Sequence, residues 1–135
     1  MRARDALGRP VPADSPDAVE PVPDHALPPY DAVAFARELL SAGRAFSAHE
    51  VFEASWKVAP PAERALWQGL AQVCVGLTHL QRGNRIGAAR LLRRGAGQLA
   101  DRSLEYGVDV PRVAADALRL AGEIEAGRAG GSLEI

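Results

Sequence analysis

"PAERALWQGLAQVCVGLTHLQR", residues 61–82, decides the fold. Leu66, Leu70, Val73, Leu77 and Leu80 recur at alternating intervals of four and three residues, and Trp67, Ala71 and Cys74 cover a neighbouring strip. That spacing follows one face of a helix of 3.6 residues per turn. A helix apolar round most of its circumference has other helices packed about it. The stretch therefore predicts a central helix, the third along the chain.

Outward from it, every signal is helical. Upstream, "SAHEVFEASWKV" predicts a second helix from Ser47, with Ser47 and Glu50 spaced as a capping box, ending before Pro60-Pro61. "DAVAFARELLSAG" predicts a first helix capped by Asp31, with Phe35, Leu39 and Leu40 on one face and Gly43 as its stop. Downstream, "RGN" breaks the third helix and Asn84 caps a fourth, running to about Asp101. "EYGVD" makes a turn, and Asp109 with Pro111 opens a fifth helix that ends near Ala126. No stretch alternates in the strand manner for long enough to make a sheet. The fold class is all-α, a compact bundle of about five helices over residues 29–127. "HLQRGNRIGAARLLRR" has the look of a repeat hairpin, but no second copy follows at a fixed period, so a solenoid is not expected.

Seven of the ten prolines fall in residues 1–29. Proline at that density removes backbone donors and forbids helix, so residues 1–28 are expected to form an extended, largely unstructured arm, for which Val22, Leu27 and Tyr30 are candidate anchors on a partner or on the chain's own domain. His25 lies in it and reads as a solvated loop histidine. "GRAGGSLEI" predicts a flexible tail over residues 128–135.

Composition excludes several classes. A net charge of −1 offers no global attraction to nucleic acid or anionic membrane. The one cysteine, Cys74, rules out a disulfide framework within the chain. Arg2 and Arg4 are followed by no apolar core, so no secretory signal is expected, and no apolar run approaches the ~20 residues of a membrane span. A soluble, cytoplasmic protein is the expectation. Arginine outnumbers lysine fifteen to one, which we read as genomic base-composition bias.

The second helix raises the functional question. His49, Phe52, Glu53 and Trp56 stand at i, i+3, i+4 and i+7, two ionisable groups sharing a stripe with two aromatic ones. On the third helix Gln68, Gln72 and His79 share a stripe with Val75. Buried polar groups need partners, so the two polar lines are expected to meet in a pocket walled by Phe52 and Trp56. An antiparallel hairpin about Pro60-Pro61 brings His49, Glu53, Gln68 and Gln72 level and leaves His79 on the order of 10 Å further along the axis. Three readings follow: a hydrogen-bonded structural cluster, a divalent-metal site for zinc or iron, or an acid–base pair with His49 poised by Glu53. "HEVFE" departs from the zinc-protease pattern at Glu53, where that pattern has histidine.

These residues resemble a known family. "AHEVFEASW" followed by "LWQGLAQVCVGLTHLQRGNRIGAARLLRR" is similar to the bacterial, archaeal and plastid proteins grouped as domain of unknown function 309. The hallmark H-x-x-x-E-x-x-W is matched by His49, Glu53 and Trp56. The resemblance extends over about residues 29–105, through Gln68, Gly69, Gln72, His79 and the turn Arg82, Gly83, Asn84, Gly87, Ala88. It implies a small all-α bundle with no established activity. A suggested metal site would fall on His49 and Glu53, with Gln72 and His79 as additions.

Arg82, Arg85, Arg90, Arg93 and Arg94 crowd one turn and the start of the fourth helix, a second candidate site, for phosphate or RNA. Aromatics make up only 5% of the chain, which argues against stacking platforms for single strands, so nucleic acid is not the expected partner. Gly87, Gly95 and Gly97 weaken the fourth helix and point to close helix approach or to a homodimer. The leading expectation is a metal or small-ligand pocket at His49 and Glu53 with hydrolysis as its chemistry. A non-enzymatic interaction domain is the alternative, and phosphate or RNA binding comes third.

Overall fold

A computed structural model describes residues 2–128 and 131–135 of the chain. A short strand pair, β1 (Arg2–Arg4) and β2 (Pro10–Pro12), precedes four helices: α1 (Pro29–Ser41), α2 (Ala45–Val58), α3 (Arg64–Gln81) and α4 (Arg85–Leu99). A two-residue strand pair, β3 (Leu104–Glu105) and β4 (Val108–Asp109), then leads into α5 (Val110–Glu125). One 3-10 turn, Pro61–Glu63, opens α3. Each helix packs chiefly on its neighbours in sequence, which leaves α3 in the middle, between α2 and α4. The bundle is all-α, as the apolar periodicity of residues 61–82 requires. No helix among the described residues is long and apolar enough to cross a membrane.

The core is aliphatic and alanine-rich, built round Phe52, Leu66, Trp67, Leu70, Val73, Leu92, Leu99 and Leu120. Cys74 is fully buried, and loss of water pushes its thiol far above the ordinary range. Trp67 ties α3 to the β3–β4 turn: its indole N–H donates to Glu63 at 3.2 Å, and Tyr106 donates its hydroxyl to the same carboxylate at 2.8 Å. The Trp67 and Tyr106 rings stack at 5.7 Å.

Helix ends follow local chemistry. After α1 and α3 the chain turns through Gly43 (φ +75°) and Gly83 (φ +80°), a left-handed conformation that only glycine adopts without cost. Behind them Arg44 N–H bonds to Leu39 O and Asn84 N–H to His79 O, both at 2.8 Å, satisfying carbonyls the helix leaves open. Asn84 caps α4 by accepting from Gly87 N–H at 3.0 Å, and Asp109 caps α5 by accepting from Arg112 N–H at 3.2 Å, as read from the sequence.

Two expected caps are not formed. α1 starts at Pro29, where a fixed φ suits the first turn, and Asp31 lies inside that turn instead of capping it. α2 starts at Ala45, so Ser47 is already helical. Its buried hydroxyl accepts from Arg44 at 3.0 Å, and Glu50 is left without a capping role.

The ends of the chain are more ordered than composition suggests. β1 and β2 pair antiparallel, Arg2 opposite Pro12 and Arg4 opposite Pro10. Asp5 holds the connecting turn, accepting from the backbone of Leu7 and Arg9 and from the Arg9 guanidinium. The turn is docked: Arg82 donates to Leu7 O at 2.8 Å, and Phe46 lies beneath the guanidinium groups of Arg4 and Arg82, whose centres are 5.0 and 5.9 Å from its ring centroid. Counting lost donors overlooks such side-chain partners. At the other end Leu133 and Ile135 are buried, Arg37 donates to Ile135 O at 2.9 Å and Arg112 to Glu134 O at 3.1 Å. The expected flexible tail also includes Ala129 and Gly130, which lie outside the described residues.

Candidate functional site

At 100° per residue α2 has two faces. Ala45, Ala48, Val51, Phe52 and Ser55 are buried on one. Glu50, Glu53, Ala54 and Lys57 stand on the opposite one. Over that outer face runs the segment 22–26 of the proline-rich arm, so that a cleft of about 650 Å³ opens between them. Its floor is His49, Glu50, Glu53, Ala54, Lys57 and Val58, and its roof is Val22, Pro23, Asp24, His25 and Ala26. Arg44 pins the roof at one end by donating to Glu20 O at 2.5 Å, and Leu27 packs on the core at the other.

The stripe read from the sequence straddles the border between these faces. Phe52 is fully buried, 6.1 Å from Trp67 centroid to centroid, and belongs to the core. Trp56 is half-buried under the Arg64 guanidinium, which stands 5.3 Å from its ring centroid. Neither walls the cleft. His49 and Glu53 do line it, bonded to each other at 2.7 Å from Nε2 to Oε2. The other ring nitrogen, Nδ1, is 3.0 Å from Phe46 O. A carbonyl and a carboxylate can only accept, so donation from Nδ1 to Phe46 O and from Nε2 to Glu53 satisfies both contacts. Lys57 Nζ is 3.4 Å from the second Glu53 oxygen. Partial burial pushes the Glu53 carboxyl up, and the His49 charge and hydrogen bond with Lys57 outweigh it, so its pKa is lowered.

Glu50, a residue the sequence reading spent on a capping box, is the free group. Its carboxylate makes no hydrogen bond or ion pair among the described residues. Burial raises its pKa, and His49, Arg4 and Arg44 lower it by less. Asp24 and His25 were not among the candidate site residues, because a loop pattern does not say which helix face the loop crosses. They sit at the mouth, exposed and 3.7 Å apart.

The α3 residues stand elsewhere. Among the described residues neither Gln68, Gln72 nor His79 lines this cleft or bonds to His49 or Glu53. Gln72 has its Oε1 buried without a partner, and His79 Nδ1 accepts from Asn84 Nδ2 at 3.1 Å, bracing the α3–α4 turn. The side of α2 that meets α3 is the apolar one, and among the described residues His49 and Glu53 bond to no α3 side chain.

The pair does not fit a zinc or iron centre. Both imidazole nitrogens are engaged, and among the described residues no three His, Cys, Asp or Glu side chains are grouped to hold an ion. The arginine cluster is also largely engaged. Arg82 holds the arm, Arg85 donates to Ile124 O and Arg128 O, and Arg93 is paired with Glu125. Arg90 and Arg94 have no such partner among the described residues.

Residues 33–91 match the model of a family described as Domain of unknown function (DUF309). Through them the chain is similar to the DUF309 family. The match runs from α1 into α4 and includes His49, Glu50, Glu53 and Lys57, the floor of the cleft. The roof, Val22–Ala26, lies outside the DUF309 match. A curated relative, "Uncharacterized protein YpuF" of Bacillus subtilis (strain 168), is 44% identical over 48 residues, 35% of this chain and 28% of that protein. The chain thus spans little more than a quarter of that relative's length. No solved structure matches the chain.

Proposed function

We propose that this domain is a small-ligand binding module whose outer α2 cleft receives a cationic, hydrogen-bond-donating group. The observation that carries the reading is Glu50: a half-buried carboxylate in a cleft wall with no partner of its own. A half-buried carboxylate keeps only part of its hydration, and a ligand ammonium or guanidinium supplies the donor that the protein does not. Glu53 is already matched by His49 and Lys57, so His49 and Glu53 act as the strut that fixes the floor. Asp24 adds negative charge at the mouth.

Glu50 also has the character of a general base, and hydrolysis of a ligand held beside it is the chemistry such a group would serve. Binding is the part the geometry supports directly. The test is a heteronuclear titration of the full chain with butylammonium and with butyrate. Amide shifts along residues 49–58 with the cation alone, lost in Glu50→Gln, are expected. Equal response to both ions, or none to either, would sink the reading.

A further inference from the structure

Beyond its charged half the cleft continues into apolar ground. A second, mostly apolar cavity of about 200 Å³ lies at the C-terminal end of α2, lined by Leu27, Pro29, Ala59, Pro60 and Trp67, with Ser55 and Glu63, itself already bonded to Trp67 and Tyr106, at its polar edge. The two cavities share two lining residues, Ala26 on the arm and Val58 on α2. Val58 is 69% exposed, a branched aliphatic side chain left in water at the junction. A lone exposed valine is ordinary, but this one bridges an acidic recess and an apolar one beneath a single strap of chain. From Glu50 to Val58 the helix advances about 12 Å at 1.5 Å per residue.

Building on the cation reading above, we infer that the ligand is an amphipathic amine: an ammonium group at Glu50 carrying an apolar chain that runs along α2, over Val58 and into the recess beside Leu27 and Pro29. Charge complementarity fixes one end, and the removal of Val58, Leu27 and the ligand chain from water fixes the other. A purely polar cation would leave the apolar recess unfilled, and an uncharged alkyl chain would leave Glu50 unmatched.

The experiment is a titration of the full-length protein with n-alkylammonium ions from butyl to tetradecyl, beside the matching n-alkanols, followed by amide shifts and the Trp67 indole N–H. Affinity is expected to rise about fourfold per added methylene, the value for burying one CH₂. Val58→Ser, a change at an exposed site, is expected to flatten that rise. Binding of every amine with one affinity regardless of chain length, abolished by Glu50→Gln, overturns this inference and leaves the cation reading standing. Alkanols binding as tightly as amines, or no binding by any of them, overturns both.

Discussion

His49 and Glu53 are bonded one turn apart on α2, Nε2 to Oε2 at 2.7 Å, and the pair faces the proline-rich arm rather than α3. The pair is internally satisfied, since Phe46 O takes the other imidazole nitrogen. We read its role in the folded state as that of a strut. His49→Ala leaves Phe46 O and Glu53 short of a donor at a site where the His49 side chain is only 17% exposed, and is expected to lower stability by about 1–2 kcal/mol. Glu53→Gln should cost less, below about 1 kcal/mol, because Glu53 is 38% exposed and water screens it. Urea midpoints at unchanged slope measure both.

Glu50 and Glu53, three residues apart, are expected to give stability opposite dependences on pH. The Glu53 pKa is lowered by folding, so its contribution is complete above the unfolded value of 4.5 and is lost as pH falls through the lowered folded value. The Glu50 pKa is raised, so the folded state holds its proton longer and stability falls as pH rises from 4.5 through the raised value. Glu50→Gln should therefore remove a decline on the neutral side and leave the protein as stable as the wild type or more so at neutral pH. Glu53→Gln should remove a loss on the acid side. Thermal melts of both variants across the acid-to-neutral range decide it, and parallel curves for the two would contradict the assignment.

Docking of the arm rests on a close fit at Gly8. A Cβ added there would fall 2.2 Å from Cδ1 of Phe46, and the residue's φ of +79° already favours glycine. Gly8→Ala is expected to lift the hairpin from α2, raising proteolytic cleavage within residues 1–28 about tenfold or more, the change produced by roughly 1.4 kcal/mol in a local opening equilibrium. The helical signal should melt almost where it did. Unchanged cleavage would mean that the Arg4, Arg82 and Asp5 contacts hold the arm without Phe46.

The bundle could be read because its signals are local: the four-three spacing from Leu66 to Leu80, and glycine, asparagine and aspartate at helix ends. The site was half legible for the same reason. An i, i+4 pair such as His49 and Glu53 meets by helical geometry alone, whatever lies around it. Which face of α2 is covered, and by what, depends on contacts between residues far apart in sequence, such as Arg44 with Glu20 and Arg82 with Leu7. Those contacts have no period. Assigning Glu50 to a cap also followed from a start of α2 placed two residues late, and helix boundaries are where pattern reading is weakest.

The glycines of α4 separate packing from propensity. At Gly95 a Cβ would lie 2.8 Å from Val73 Cγ2 and 2.9 Å from the Gly69 carbonyl oxygen, and a backbone atom of the packed α3 has little room to retreat. At Gly97 nothing lies within 4 Å. Gly95→Ala is therefore expected to destabilise by about 1–3 kcal/mol through overpacking, despite alanine's better helix propensity. Gly97→Ala keeps only the propensity term and should stabilise by up to about 1 kcal/mol. Both are read from denaturant midpoints on the same protein. If Gly97→Ala destabilises instead, the open face at that position is covered in solution, and a concentration-dependent midpoint would show that a second copy covers it.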